Sequence, residues 1–154
     1  MNVALLSIGK RMPRWVTEGC DEYSKRLPGQ WRFQLREFAQ SRANTAELRM
    51  AAESKTLLDA IDQKSHVVAL DNRGASWTTE QLSRQLQVWL ETGKPLNFVI
   101  GGADGLHDDC RTRADQLVSL SPLTFPHPMV RVIWLEQLYR AHSLANNHPY
   151  HRAG

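Results

Sequence analysis

The sequence predicts an α/β protein whose sheet is covered by helices on both faces. Three observations carry this: short β-rich apolar runs alternate with amphipathic helical segments, glycine or proline closes most of the runs, and no internal repeat or low-complexity stretch interrupts them. At 154 residues the chain is long enough to bury roughly two-thirds of its unfolded surface without metal or disulfide staples. One domain spanning 1–154 is expected.

The elements follow in order. Asn2 to Ile8 is an apolar run ended by Gly9 and reads as a first strand. Pro13 suits the first position of a helix continuing to about Leu27, where Pro28-Gly29 stops it. Trp31 to Phe38, with Trp31, Phe33 and Leu35 alternating, reads as a second strand. The polar residues 40–46 are expected to form a mobile loop. A helix from about Asn44 to Asp62 would carry Leu48, Ala51, Ala52, Leu57, Leu58 and Ile61 on one side. His66 to Leu70 is a third strand, ended by the turn cluster Asp71-Asn72-Arg73-Gly74. Thr78 or Thr79 can cap the next helix, which places Leu82, Leu86, Trp89 and Leu90 on one face and ends at Gly93. Leu96 to Ile100 is a strand closed by Gly101-Gly102. A short polar helix, the brief apolar run Leu117 to Leu120 and a long helix from about Pro128 to Asn146 complete the series, and Pro149 keeps the tail from extending that helix.

Composition excludes several function classes. With 42% hydrophobic and 23% charged residues the chain is not disordered. Cys20 and Cys110 lie outside any CxxC or Cys/His ligand spacing, so neither a zinc site nor a disulfide framework is indicated and both thiols are expected to be reduced. No apolar run approaches the roughly 20 residues of a membrane helix, and the start lacks a signal peptide's basic and long apolar regions. A soluble, cytoplasmic protein is expected. Lys+Arg 19 against Asp+Glu 16 leaves a net charge of only +3. The excess lies in residues 1–65, with 11 basic against 8 acidic, much of it at Lys10, Arg11, Arg14, Lys25 and Arg26. Such a patch attracts phosphates, and it is equally an ordinary solvated helix face.

Three segments concentrate unusual residues. Ile100-Gly101-Gly102-Ala103-Asp104-Gly105 follows a strand, and carboxyl ends of strands are where open α/β sheets bind ligands. Its spacing is neither GxGxxG nor a phosphate-binding P-loop, so a ligand contact and a plain tight turn both remain open. Leu120-Ser121-Pro122-Leu123-Thr124-Phe125-Pro126-His127-Pro128 holds three prolines in a stiff, extended loop. Its free main-chain groups suit recognition of a flat heterocycle, or it is a connector that only sets a helix angle. The tail His148-Pro149-Tyr150-His151-Arg152 combines a ring that can stack, a guanidinium that forks to phosphate or carboxylate, and imidazoles that move protons. Most chain ends do nothing. No supporting carboxylate or cysteine stands beside His148 and His151, so metal binding is not indicated, and the lack of GxSxG argues against a nucleophilic hydrolase. A transferase with an activated donor needs only a nucleoside pocket and an acceptor clamp.

Together these segments, with Arg131, Glu136-Gln137-Leu138-Tyr139-Arg140-Ala141, and Ile8-Gly9-Lys10, Met12-Pro13, Trp15 and Glu22-Tyr23 near the start, resemble the ribosomal RNA large subunit methyltransferase H family over the full length. The resemblance implies a SPOUT-type α/β knot: a parallel-rich sheet with helices on both faces and a trefoil-knotted carboxyl-terminal region, a topology that the usual rules of chain threading exclude. It implies methyl transfer from S-adenosyl-L-methionine to N3 of a pseudouridine in 23S rRNA of the assembled ribosome, by a homodimer, with no metal and no membrane. Carried over by residue, the cofactor pocket would use Leu70, Gly101, Gly102, Leu120, Ser121, Pro122, Leu123, Thr124 and Phe125, the glycines leaving room for the cofactor. His127, Tyr150 and Arg152 would serve the acceptor side, the tail completing the other subunit's site. Val130, Ile133, Trp134, Leu138 and Ala141 on the last helix would form a dimer surface, or simply pack into the core. Phe125 stands where the family generally has leucine, His142 where a larger apolar residue is common, and Ala153-Gly154 extend the usual ending. Alternatives are a non-catalytic RNA-binding module of the same fold and a nicotinamide oxidoreductase, the latter disfavoured by the missing GxGxxG.

Overall fold

Leu5 and Leu6 are sequence neighbours in the first strand and both are fully buried, one on each side of a sheet. The same holds along the third strand, where Val68 and Leu70 face one core and Val67 and Ala69 the other. Continuous apolar runs of this kind are what a parallel sheet sandwiched between helices requires. The computed structural model describes residues 1–152. Its strands are β1 (Val3–Ile8), β2 (Gln34–Phe38), β3 (His66–Ser76), β4 (Leu96–Ile100) and β5 (Gln116–Ser119), all parallel, in the order β2-β1-β4-β3-β5. The helices are α1 (Arg14–Ser24), α2 (Ala46–Asp59), α3 (Thr79–Glu91), α4 (Asp108–Arg113) and α5 (His127–Ala145), with 3₁₀ turns at Gly29–Trp31 and Pro149–His151.

Crossover handedness assigns the helices to faces. The connections β1 to β2 and β3 to β4 step one way along the sheet, whereas β2 to β3 and β4 to β5 step the other way. Right-handed crossovers therefore put α1 and α3 on one face and α2 and α4 on the opposite one. The contacts agree: α5 packs between α1 and α3, while α2 lies against α4. Phe98 stacks edge-on against both Trp89 of α3 and Trp134 of α5, at centroid distances of 5.7 and 5.1 Å, which locks the three-helix face onto β4.

Several boundaries differ from the sequence reading for local reasons. Pro13 is the cap rather than the first turn of α1, its carbonyl accepting from Val16 N at 2.9 Å, and α1 tightens into i→i+3 bonds after Ser24 instead of reaching Leu27. Trp31 is buried in a 3₁₀ turn, and Arg32 in the left-handed region (φ 49°) breaks the chain before β2 begins at Gln34. The inward side of α2 is Glu53, Ser54 and Leu57, whereas Leu48 is 56% exposed. The polar stretch before α2 is tied down by Ser41 N donating to Glu53 Oε2 (2.9 Å) and by Arg49 donating to the Ala43 carbonyl (3.1 Å). Asp71-Asn72-Arg73-Gly74 is a bulge inside β3 and not its end: Leu70 and Ala75 both pair with Val118. A side chain at Gly74 would collide with the Leu117–Val118 backbone, so only glycine permits β3 to re-pair so soon. Trp134, Leu138 and Ala141, with Leu135, are fully buried in the core, so most of the stripe read as a dimer surface packs inward. Of the two candidate caps Thr78 and Thr79, Thr78 caps α3, in a reciprocal box with Gln81 (3.1 and 2.8 Å).

From β5 at one edge the chain must travel back across the strand ends before α5 can descend between α1 and α3. What fixes the landing point is Arg131, 0% exposed, which donates to Glu37 Oε2 at 2.6 Å and to the carbonyls of Ile8 (3.1 Å) and Gly9 (3.4 Å). Arg131→Met is expected to lower the unfolding free energy by about 2–4 kcal/mol, because two buried carbonyls lose their donors. Urea denaturation measures it, and a loss under about 0.5 kcal/mol would show the contact to be incidental.

Candidate functional site

Because the strands are parallel, the carboxyl ends of the adjacent β4, β3 and β5 open onto one edge of the sheet. A groove of about 850 Å³ lies there, and Leu70, Gly101, Gly102, the whole run Leu120 to Phe125 and His127 all line it. Segments 30 and 50 positions apart in sequence thus converge because they occupy equivalent places on neighbouring strands. One half of the groove is apolar, with Leu70, Ile100, Leu120 and Phe125. The other half is charged, with Asp71, Arg73, Asp108 and Arg111. There Arg111 reaches the Leu106 carbonyl (2.6 Å) and Asp71 Oδ2 (3.2 Å) and also pairs with Asp108. Leu123 is 72% exposed on the loop.

The paired glycines serve the turn as well as the groove. A Cβ at Gly101 would meet the Gly105 backbone at 2.7 Å, and one at Gly102 would meet Glu53 Oε1 at 2.9 Å and Ile8 Cγ2 at 3.1 Å. The space saved is therefore on the protein side, which corrects the idea that these glycines are there to leave room for a ligand; their main chain forms the groove wall. Gly105 N donates to the Gly102 carbonyl (3.0 Å) to close the turn. Arg49 of α2 grips it from outside through Asp104, at 2.8 and 3.2 Å, and holds that carboxyl below the usual range. Glu53 stands buried beneath, and burial pushes its carboxyl upward. Sequence reasoning missed Arg49 and Glu53. Their signal is a charged pair one turn apart on the helix face, hidden because apolar spacing assigned that face to Leu48 and Ala52.

His127 begins α5 at the groove's end. Burial and, secondarily, the Arg131 guanidinium depress its pKa below the ordinary 6.5, and a helix amino terminus also disfavours a cation. Its Nδ1 is buried without a partner among the described residues, while Nε2 lies 3.5 Å from Gln40 Nε2. The imidazole is thus held neutral at neutral pH, in the state that accepts a proton.

Tyr150 and Arg152 are elsewhere in this chain. Tyr150 packs on Tyr139 (4.6 Å between ring centroids) under the Arg140 guanidinium, and burial followed by a hydrogen bond with Tyr23 raises its hydroxyl pKa. Tyr139 is 12 residues along α5 from His127, which at 1.5 Å per residue is about 18 Å. Arg152 is exposed. One chain therefore does not bring His127, Tyr150 and Arg152 together around a single small group. The basic patch also divides: Lys10, Arg11 and Arg14 sit at one end of α1 and Lys25 and Arg26 at the other, about 16 Å away. Arg14 pairs with Glu18, and Lys25 and Arg26 with Glu22. Of the departures noted above, His142 packs edge-on against Trp31 (5.4 Å) and is kept neutral by burial, so it replaces an apolar ring contact. Ala153-Gly154 lie outside the described residues. Among the described residues no helix is long and apolar enough to cross a membrane, and no group of three or more His, Cys, Asp or Glu is placed to hold a metal ion.

Residues 1–151 match the family described as predicted SPOUT methyltransferase. The ribosomal RNA large subunit methyltransferase H of Burkholderia cenocepacia (strain HI2424) is 48% identical over 156 residues, covering 99% of this chain and 100% of that protein. The protein of the same name from Burkholderia ambifaria (strain MC40-6) is 47% identical with the same coverage, and that from Paraburkholderia phymatum is 46% identical over 99% of each chain. A solved structure, that of a probable methylase family protein from Haemophilus influenzae Rd KW20, superposes with a TM-score of 0.59 over 94% of this chain and 68% of that one. At 11% identity this is a likeness of fold.

Two outcomes test the turn. Gly101→Ala is expected to lower Tm by about 5 °C or more and Gly102→Ala by less, because a backbone cannot yield to the new methyl while the end of Glu53 can. The neutral form of Glu53 is favoured in the fold, so its contribution is present below the ordinary 4.5 and lost as pH rises through the raised folded value. Glu53→Gln should consequently raise Tm by about 2–4 °C at pH 8 and leave it unchanged at pH 4, in thermal scans at the two pH values.

Proposed function

The chain belongs to the SPOUT methyltransferase family, and from that premise we propose that it methylates large-subunit ribosomal RNA, moving a methyl group from S-adenosyl-L-methionine to N3 of a pseudouridine in 23S rRNA of the assembled ribosome. The observation that carries this reading is the single groove at the carboxyl ends of β4, β3 and β5, which gathers every residue expected to hold the donor. We read 1–154 as one catalytic domain working as a homodimer in the cytoplasm, with the carboxyl-terminal segment threading through a loop to make a trefoil knot.

The groove suits the donor in size and in polarity. Its volume falls in the range of small-molecule sites. The apolar half, walled by Leu70, Leu120 and Phe125 and by the main chain of Gly101 and Gly102, fits an adenosine. The mixed charges of Asp71, Arg73, Asp108 and Arg111 fit an amino acid's ammonium and carboxylate. When bound, the sulfonium supplies an activated methyl with a neutral thioether as leaving group. What remains for the protein is positioning and removal of one proton. Neutral His127 at the end of the groove is the group placed to accept the N3 proton as N3 bonds to the methyl carbon. Arg152 supplies a positive charge that favours the N3 anion, and Tyr150 sets the tail. Since Tyr150 packs on Tyr139, which stands about 18 Å along α5 from His127 of the same chain, we read the tail that completes each site as the partner subunit's.

Incubating ribosomes from a strain lacking the gene with the protein and labelled donor should place one methyl group on a 23S rRNA pseudouridine; label on another RNA or none at all would overturn the assignment. Removing Pro149–Gly154 is expected to leave donor affinity within about twofold while reducing methyl transfer at least 100-fold, read by calorimetry and by label incorporation. The acid limb of kcat/KM should lie below about 6.5, because a depressed histidine stays an effective base to lower pH. A limb above 7 would exclude His127 as that base.

A further inference from the structure

We infer that Arg26, which the sequence groups with a phosphate-attracting patch, is a positioning residue: it closes a cage of tyrosines that sets where the carboxyl-terminal tail presents Arg152. This rests on the reading that the tail serves the acceptor side.

The tail's path starts from its own local chemistry. α5 ends with Asn147 in the left-handed region (φ 58°), His148 N donating to the Ser143 carbonyl (2.8 Å) and Asn147 N to that of Leu144 (3.3 Å). These are the paired bonds of a helix-terminating turn that reverses the chain. Pro149 then forbids renewed helix, and the 3₁₀ turn Pro149–His151 runs back against α5. A three-residue turn near a chain end has little intrinsic stability, and such ends fray unless tied down.

The tie is made of cations and rings. The Arg26 guanidinium faces three tyrosines, at 5.5 Å from Tyr23, 5.7 Å from Tyr139 and 5.9 Å from Tyr150. Arg140 covers Tyr150 from another side at 4.9 Å and donates to the Tyr150 carbonyl at 3.4 Å, while the Tyr150 hydroxyl donates to Glu136 Oε1 at 3.5 Å. Glu22 and Glu136 orient the two guanidinia. Arg26 stands two residues past the end of α1, whose Tyr23 hydrogen-bonds to Tyr150, and it is the group that faces the rings of Tyr23, Tyr139 and Tyr150 together, so it closes the link between the tail, α5 and the α1 end. Arg152 lies two residues beyond Tyr150, a span of at most about 7 Å, so the cage determines where its guanidinium starts from. A planar guanidinium can face several rings while forking to a carboxylate, which an ammonium cannot.

The test compares Arg26→Gln, Arg26→Lys and Lys10→Gln in the full-length protein. Tail order is read as the rate of trypsin cleavage after Arg152, donor affinity by calorimetry, and kcat and KM with ribosomes as acceptor. Arg26→Gln should speed cleavage about tenfold or more and lower kcat at least tenfold with donor affinity unchanged, and Arg26→Lys should recover part of both. Lys10→Gln should leave the cleavage rate alone. An unchanged cleavage rate in Arg26→Gln overturns the cage, as does a purely KM effect that fades with added salt, the mark of a phosphate contact. If the wild type transfers no methyl group yet Arg26→Gln loosens the tail, the cage stands and the proposed reaction is what fails.

Discussion

One buried guanidinium organises the functional edge of this molecule. Arg131 satisfies the last carbonyl of β1, the next one at Gly9, and the carboxylate of Glu37 on β2. A cation taken entirely out of water needs partners such as these, which both terminal nitrogens have and Nε, among the described residues, does not, and they exist at one place on the sheet. The first turn of α5 is therefore pinned over β1 and β2, although the chain leaves β5 at the opposite edge. The loop 120–126 has no other course than across the ends of β3 and β4, where it becomes the outer wall of the groove. The same charge depresses the neighbouring His127 and partly offsets the burial that raises the Cys20 thiol to about 11.

The wall opposite that loop is stiffened from behind. Arg49 and Glu53 project from α2 onto the Gly101–Gly105 turn, one through Asp104 and the other beneath Gly102. A ligand wall made of main chain is only as well placed as the side chains that brace it, since the glycines contribute none of their own. The groove is thus held at one side by an ion pair with α2 and at the other by an ion pair with α5. Between them lie the apolar ends of β3, β4 and β5.

The basic residues around α1 are split between its two ends. α5 serves both ends of the molecule: its start holds His127 at the groove, and its last turns cradle the carboxyl-terminal tail. The cage around Tyr150 connects α1, α5 and the tail, so the packing that stabilises the monomer also aims Arg152.

The sequence by itself determined the order of the elements, the burial of the sheet on both faces, and two of the three unusual segments as those that meet at the groove, the paired-glycine turn and the proline-rich loop, because each is written in local periodicity and in glycine and proline positions. It also narrowed the cap of α3 to Thr78 or Thr79, of which the structure uses Thr78. Only the tertiary structure decided which side of α2 faces inward, since buried Glu53 and Ser54 break the apolar stripe that periodicity relies on. Only it turned Asp71–Gly74 into a bulge, because re-pairing needs the Val118 backbone of another strand. The Arg131–Glu37 contact spans 94 positions, and nothing in the spacing of either residue announces the other. Arg26 carries the same lesson: its charge is visible in the sequence, but whether a guanidinium faces phosphate or tyrosine depends on what the fold folds back against it.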